Sequence, residues 1–184
     1  ELERFLDEIF AKCNIQISVK TRLGMEDASG FPELMKLYNK FPMKELIIHP
    51  RVQKDFYKNT PNLEMFAEAF AMSTNPVCYN GDIFCMEDHQ RICERFPELD
   101  AVMSGRGTLM NPALAREIRG GQALTKAELR KFHDLVYHTY RAEVSGDRNV
   151  LFKMKELWFY MGPLFANNKK YLKKIKKSEK CIVY

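Results

Sequence analysis

PVCYNGDIF, residues 76–84, followed about one helix later by DAVMSGRGTLMNP, residues 100–112, decides the reading of this chain. Each segment opens as a short apolar strand that runs out at glycine: PVCY into Asn80-Gly81-Asp82, and DAVMS into Gly105-Arg106-Gly107. Glycine at a strand end lets backbone approach a ligand with no Cβ in the way. The backbone N–H groups of residues 105–107 suit an anion, with the Arg106 guanidinium beside them. Asn111-Pro112 then has the form of an N-cap with proline at the first helical position. Two successive βα loops aimed at one phosphate is the arrangement after the last two strands of a (β/α)8 barrel.

The rest of the chain fits that frame. Leu2, Phe5, Leu6, Ile9 and Phe10 recur at helical spacing and predict an opening helix. Strands are expected at IQISVK, ending at Lys20, and at ELIIH, ending at His49, with PVCY and DAVMS ending at Tyr79 and Ser104. Helices are expected near residues 32–39, 62–72, 86–95 and 111–118. Strand and helix alternate, which predicts parallel strands with helical crossovers. After Gly120-Gly121 the strand signals cease, and Thr125-Lys126-Ala127-Glu128 forms a capping box. Leu129, Phe132, Val136 and Tyr140 make one apolar stripe, and Val150, Met154, Leu157, Trp158 and Met161 a second. Gly162-Pro163 breaks the second, and a last helix holds Phe165, Leu172 and Ile175. The predicted fold is α/β: about four βα units, the second half of a TIM (β/α)8 barrel, in residues 1–121, followed by a small all-α helical bundle in residues 122–184. Four strands leave two open edges, so a homodimer, or pairing with a missing N-terminal half, is expected.

Charge separates the same two parts. Residues 125–184 carry fourteen Lys/Arg against six Asp/Glu, whereas residues 1–124 carry fifteen against eighteen. An acidic body with a basic tail predicts a polyanionic partner for the tail. Seven lysines fall between Lys169 and Lys180, interleaved with Tyr171, Leu172 and Ile175. On a helix this pattern turns the lysines outward. No apolar run approaches a membrane span and no signal peptide is present, so a soluble cytoplasmic protein with no membrane partner is expected. The five cysteines (Cys13, Cys78, Cys85, Cys93 and Cys181) have no metal-ligand spacing, and reduced, mostly buried thiols are expected. The chain begins with Glu1, not methionine, so it is expected to be a processed, trimmed or partial product.

Functional groups of such barrels gather at the C-terminal ends of the strands. Here those ends offer Lys20, His49 with Arg51, Asn80 with Asp82, and Arg106, a set suited to an anionic cofactor. SVKTRLG, IIHPRVQKDFYKN, NPVCYNGDIF and AVMSGRGTLMNP, in this order and at these intervals, resemble the second half of the tRNA-dihydrouridine synthases. The resemblance implies an FMN-binding barrel followed by a helical tRNA-binding domain. It also implies an oxidoreductase in which NADPH reduces FMN, and the flavin delivers hydride to the C5=C6 bond of a tRNA uridine. Lys20, His49, Asn80, Gly81, Asp82, Gly105 and Arg106 would then be FMN-contacting positions, with Lys20 near the flavin edge that gains charge on reduction. Arg51 would lie beside the pocket toward the uridine, and Lys169, Lys170, Lys173, Lys174, Lys176 and Lys177 would meet tRNA phosphates. The family's proton donor is a cysteine on the loop after the fourth barrel strand. None of the five cysteines here fits, so it is expected upstream of Glu1. Two alternatives are a non-catalytic RNA-binding module, and another FMN- or phosphate-binding barrel enzyme of the dihydroorotate dehydrogenase kind.

Overall fold

A computed structural model describes residues 1–56 and 58–184, leaving aside the side chain of Val183. Tyr57, inside one of the motifs quoted above, lies outside the described residues. The chain forms two compact units, one of residues 1–82 and 90–104, the other of residues 83–89 and 105–184. Each is considered by itself.

In the first unit, α1 (Leu2–Lys12) precedes β1 (Ser18–Gly24), α2 (Phe31–Tyr38), β2 (Glu45–Val52), α3 (Leu63–Met72), β3 (Val77–Tyr79) and β4 (Ala101–Val102). The strands form a parallel sheet in the order β1-β2-β3-β4. This is the order expected when each helix carries the chain back to start the neighbouring strand. Helix α4 (Met86–Arg95) passes from the second unit into the first. Asn62 caps α3, its side chain accepting from the Met65 N–H at 3.0 Å.

Strand boundaries differ from the sequence expectation. β1 begins at Ser18 and runs past Lys20 to Gly24, and β2 runs past His49 through Pro50 and Arg51 to Val52. β4 holds only two residues, although the Met103 N–H still bonds the Tyr79 carbonyl at 2.7 Å. Polar side chains do not end these strands because they alternate with apolar ones and occupy one face. Lys20 pairs with Ile47 and Arg22 with His49, and Ile47 pairs with Cys78, which puts all five on the same side of the sheet. The other side carries Leu46, Ile48, Val77 and Tyr79, all buried. Phe66 of α3 is fully buried there, edge-on to Tyr79 and Phe96 with ring centroids 5.0 Å apart in both pairs. Phe66→Ala would empty this site and is expected to destabilise the unit by about 3–5 kcal/mol, read from the urea midpoint of the whole chain.

The second unit contains α5 (Arg106–Met110), α6 (Leu114–Ile118), α7 (Lys126–Glu143), α8 (Asp147–Met161) and α9 (Lys169–Lys177). Its core is Leu129, Val150, Leu151, Met154, Leu157, Met161 and Cys181, with Phe132, Val136, Tyr140 and Trp158 packed around it. The two predicted stripes therefore face one another. The capping box forms as expected: Thr125 Oγ1 accepts from the Glu128 N–H at 3.2 Å, and Glu128 accepts from the Thr125 N–H at 2.9 Å. Residues 111–118 depart from expectation. Asn111 closes α5 instead of opening a helix, its side chain accepting from the Ala113 N–H, and α6 starts at Leu114 with Pro112 outside it. Gly105 precedes a one-turn helix that the sequence did not announce. The break expected at Gly120-Gly121 falls inside the second unit, where Gly120 has φ +78°.

Candidate functional site

The polar face of the first unit is built from β1, β2 and the turn after β3. Alternation along β1 brings Lys20 and Arg22 to it; β2 brings His49, paired with Arg22, and beyond a shift in register Arg51, which touches His49. Arg51 is 1% exposed, yet its guanidinium is fully engaged. Nε and Nη2 donate to the Asn59 carbonyl at 2.8 and 2.6 Å. Nη2 and Nη1 donate to the two oxygens of Asp82 at 2.5 and 3.1 Å. A further contact joins Nη1 to His49 Nε2 at 3.2 Å. A two-pronged carboxylate is the natural partner of a buried guanidinium fork.

The sequence placed Lys20 at a strand end and Arg51 toward a substrate. Lys20 instead lies within β1, with an exposed side chain on the polar face. Arg51 is interior, and its donors go to Asn59, Asp82 and His49 rather than outward. Asp82 holds Arg51. Asn80 ties neighbouring strand ends together: its N–H bonds the Ile48 carbonyl at 2.9 Å and its side-chain amide the Met103 carbonyl at 2.8 Å. Gly81 has an internal reason for lacking a side chain, since a Cβ would overlap the Tyr79 ring. A Cβ at Gly105 would meet nothing within 4 Å. In the second unit Arg106 lies over the Phe84 ring at 5.1 Å. Arg22, whose Nη1 donates to the Val52 carbonyl at 3.1 Å, is a member of the polar face that sequence reasoning missed. Its two-residue offset from Lys20 was the available signal.

These charges act on one another. Withdrawal from water and then the charge of Arg22 hold the Lys20 pKa below the ordinary lysine value. Burial, reinforced by Arg22, Lys20 and Arg51 and opposed by Asp82, lowers His49 from 6.5 to about 4. Burial also pushes the Cys78 thiol up to about 11. His49 therefore links folding to pH. Its folded value lies below its unfolded one, so its contribution is complete above about pH 6.5 and disappears as pH falls through about 4. Urea midpoints of the wild type should drop across that window. In His49→Gln, whose amide oxygen can still accept from Arg51, the drop should be smaller; equal profiles would show that His49 titrates normally.

The basic segment lies in the second unit. Lys169, Lys170, Lys173, Lys174, Lys176 and Lys177 are all exposed, whereas Leu172 and Ile175 are half-buried. Among the described residues none of the six lysines has an ion-pair partner. Helix α9 packs closely where Gly162 meets Leu172, and a Cβ on Gly162 would overlap that leucine. The cysteines are more exposed than expected: Cys78 and Cys181 are buried, Cys13 and Cys85 exposed, and Cys93 between. No helix of the described residues is long and apolar enough to cross a membrane.

A parallel sheet with Lys20 and Arg22 on one face, and a helical unit with exposed lysines, define an α/β protein of two units. More particularly, the chain belongs to the dihydrouridine synthase family, whose model, described as dihydrouridine synthase (Dus), matches residues 1–180. It is similar to the tRNA-dihydrouridine(16) synthase of Shewanella oneidensis, with 35% identity over 105 residues covering 57% of this chain and 33% of the relative. It is 30% identical to that of Pseudomonas syringae pv. tomato over 109 residues, covering 59% and 34%. A probable tRNA-dihydrouridine synthase of Helicobacter pylori is 29% identical over 144 residues, covering 78% and 43%. The chain thus spans between a third and less than half of the length of these curated relatives.

Proposed function

We propose that this chain works in the NADPH-dependent, FMN-mediated reduction of the C5=C6 bond of uridine in tRNA, in the cytoplasm. Its four βα units would contribute to an FMN-binding (β/α)8 barrel, and residues 122–184 would contact tRNA. The family match over residues 1–180 carries this reading. The donor set fits an anionic, electron-rich cofactor. Lys20 and Arg22 supply positive charge on one sheet face, and Gly105 leaves its backbone uncovered by any side chain. Bound FMN would supply the hydride-transferring ring, with NADPH as its reductant. The ammonium of Lys20 would stabilise negative charge on the cofactor, and the backbone at Gly81 in the first unit, and at Gly105 beside Arg106 in the second, would each be open to an anion. Asn80 and Asp82 would act through what they hold, the Met103 backbone and Arg51. None of the five cysteines is assigned the proton-donor role.

Titration of the whole chain with FMN, followed by visible absorbance, tests the cofactor assignment. Lys20→Ala should weaken FMN binding about tenfold or more, as loss of a charge-assisted contact does. Gly105→Ala should fold normally, because its new methyl meets no protein atom, and should bind FMN less well, because that methyl would stand where the backbone is proposed to approach the ligand. A second reading, an RNA-binding module without catalysis, is favoured by the six unpaired lysines of α9. Retention of tRNA in a gel shift with no flavin band under any condition would select it.

A further inference from the structure

Arg51 determines more than the position of Asp82. A guanidinium has five N–H groups, no acceptor, and a proton that it does not lose in proteins. Four of the five donors go to the Asn59 carbonyl and the Asp82 carboxylate. The fifth lies against His49 Nε2 at 3.2 Å. Two N–H groups cannot bond each other, so this contact requires a lone pair on Nε2. A neutral imidazole keeps one proton, and that proton must then be on Nδ1.

We propose that Arg51 is a positioning residue that locks His49 in its neutral, Nδ1-protonated tautomer, so that the ring acts neither as a general base nor as a general acid. Both residues stand on β2 two positions apart, and Arg51 is 1% and His49 6% exposed. With four other bonds at Asn59 and Asp82, the guanidinium has no freedom to turn away. A second proton on the ring would have to displace Arg51, and Lys20 and Arg22 of β1 oppose its charge. Asp82, the neighbouring carboxylate that favours a charged ring, has both of its oxygens accepting from Arg51.

The consequences are chemical. In this tautomer Nδ1 donates and cannot accept, so a group bonded to it must carry a lone pair, such as a carbonyl oxygen, an unprotonated ring nitrogen or a phosphoryl oxygen. If the reaction proposed above takes place on this face, reduction of the uridine double bond requires a hydride and a proton, and His49 supplies neither. Only that last consequence rests on the proposed function.

The test is a long-range proton–nitrogen NMR correlation on the whole wild-type chain with labelled histidine. His49→Gln identifies the His49 signals among those of the four histidines. Nδ1 should show a protonated, pyrrole-type shift and Nε2 a pyridine-type shift, both unchanged between about pH 8 and about pH 5. A protonated Nε2, or both nitrogens protonated in that range, overturns the proposal. Arg51→Lys keeps the charge but loses the fork, and should yield a mixture of tautomers. A folded Arg51→Lys chain with His49 still wholly Nδ1-protonated would overturn the role given to Arg51. If that variant does not fold, the wild-type spectrum still decides the tautomer, and Asn59→Gly, which keeps the carbonyl while loosening its anchor, should broaden the His49 signals if Arg51 sets it. A locked tautomer without FMN binding would remove the proposed function and leave this inference standing; FMN binding with an Nε2-protonated ring would do the reverse.

Discussion

Asp82→Ala is expected to lower the unfolding free energy by about 3 kcal/mol, the low end of the range for breaking one side of a buried ion pair. Arg51 is almost wholly buried, and Asp82, with 29% of its side chain exposed, neutralises it through both oxygens. Removing the carboxylate leaves a guanidinium whose remaining partners, the Asn59 carbonyl and His49 Nε2, carry no charge. Partial exposure of Asp82 lets water reach part of the vacated site, which keeps the loss from the top of that range. Asp82→Asn retains one acceptor oxygen and should lose less. The double change Arg51→Met with Asp82→Leu should be more stable than Asp82→Ala, because it removes the charge instead of stranding it. Urea midpoints of the four chains measure this. A loss below about 1 kcal/mol in Asp82→Ala would mean that the pair behaves as a surface contact.

Replacing Lys169, Lys170, Lys173, Lys174, Lys176 and Lys177 by glutamine should produce the largest change in tRNA affinity. Each lysine that neutralises a phosphate displaces condensed counterions and adds roughly 0.7–0.9 to the slope of log K against log salt. If all six engage phosphates, the slope should flatten by roughly 4–5. Affinity at low salt should then fall by orders of magnitude, while affinities near 1 M salt converge. Binding isotherms of the wild type and the six-fold variant over a salt series provide the comparison. Because each of the six is exposed and lacks an ion-pair partner among the described residues, their removal should leave the urea midpoint nearly unchanged. An unchanged salt slope would show that this segment is a solvated face and nothing more.

Much of this protein is set locally and is therefore legible in its residues. The alternation of strand and helix, the Thr125–Glu128 capping box and the facing stripes of α7 and α8 depend on neighbours one to four positions away. The polar residues of the candidate site were visible for the same reason, standing as they do beside apolar strand cores. Their work was not. Lys20 and His49 looked like strand ends because a polar residue after an apolar run reads as a stop. Pairing between β1 and β2 carries the strands onward and turns that pattern into a charged face that also includes Arg22. Asp82 and Asn59 meet Arg51 from 31 and 8 residues away, so its burial and its hold on His49 depend on contacts that no local pattern encodes. Helix α5, one turn containing glycine, has too few local bonds to announce itself. The sequence by itself determined the alternation of strand and helix, the Thr125–Glu128 cap and the placing of charge. Only the tertiary structure decided which charges are buried, which partner neutralises them and which nitrogen of His49 keeps its proton, because burial and pairing arise when distant segments exclude water together.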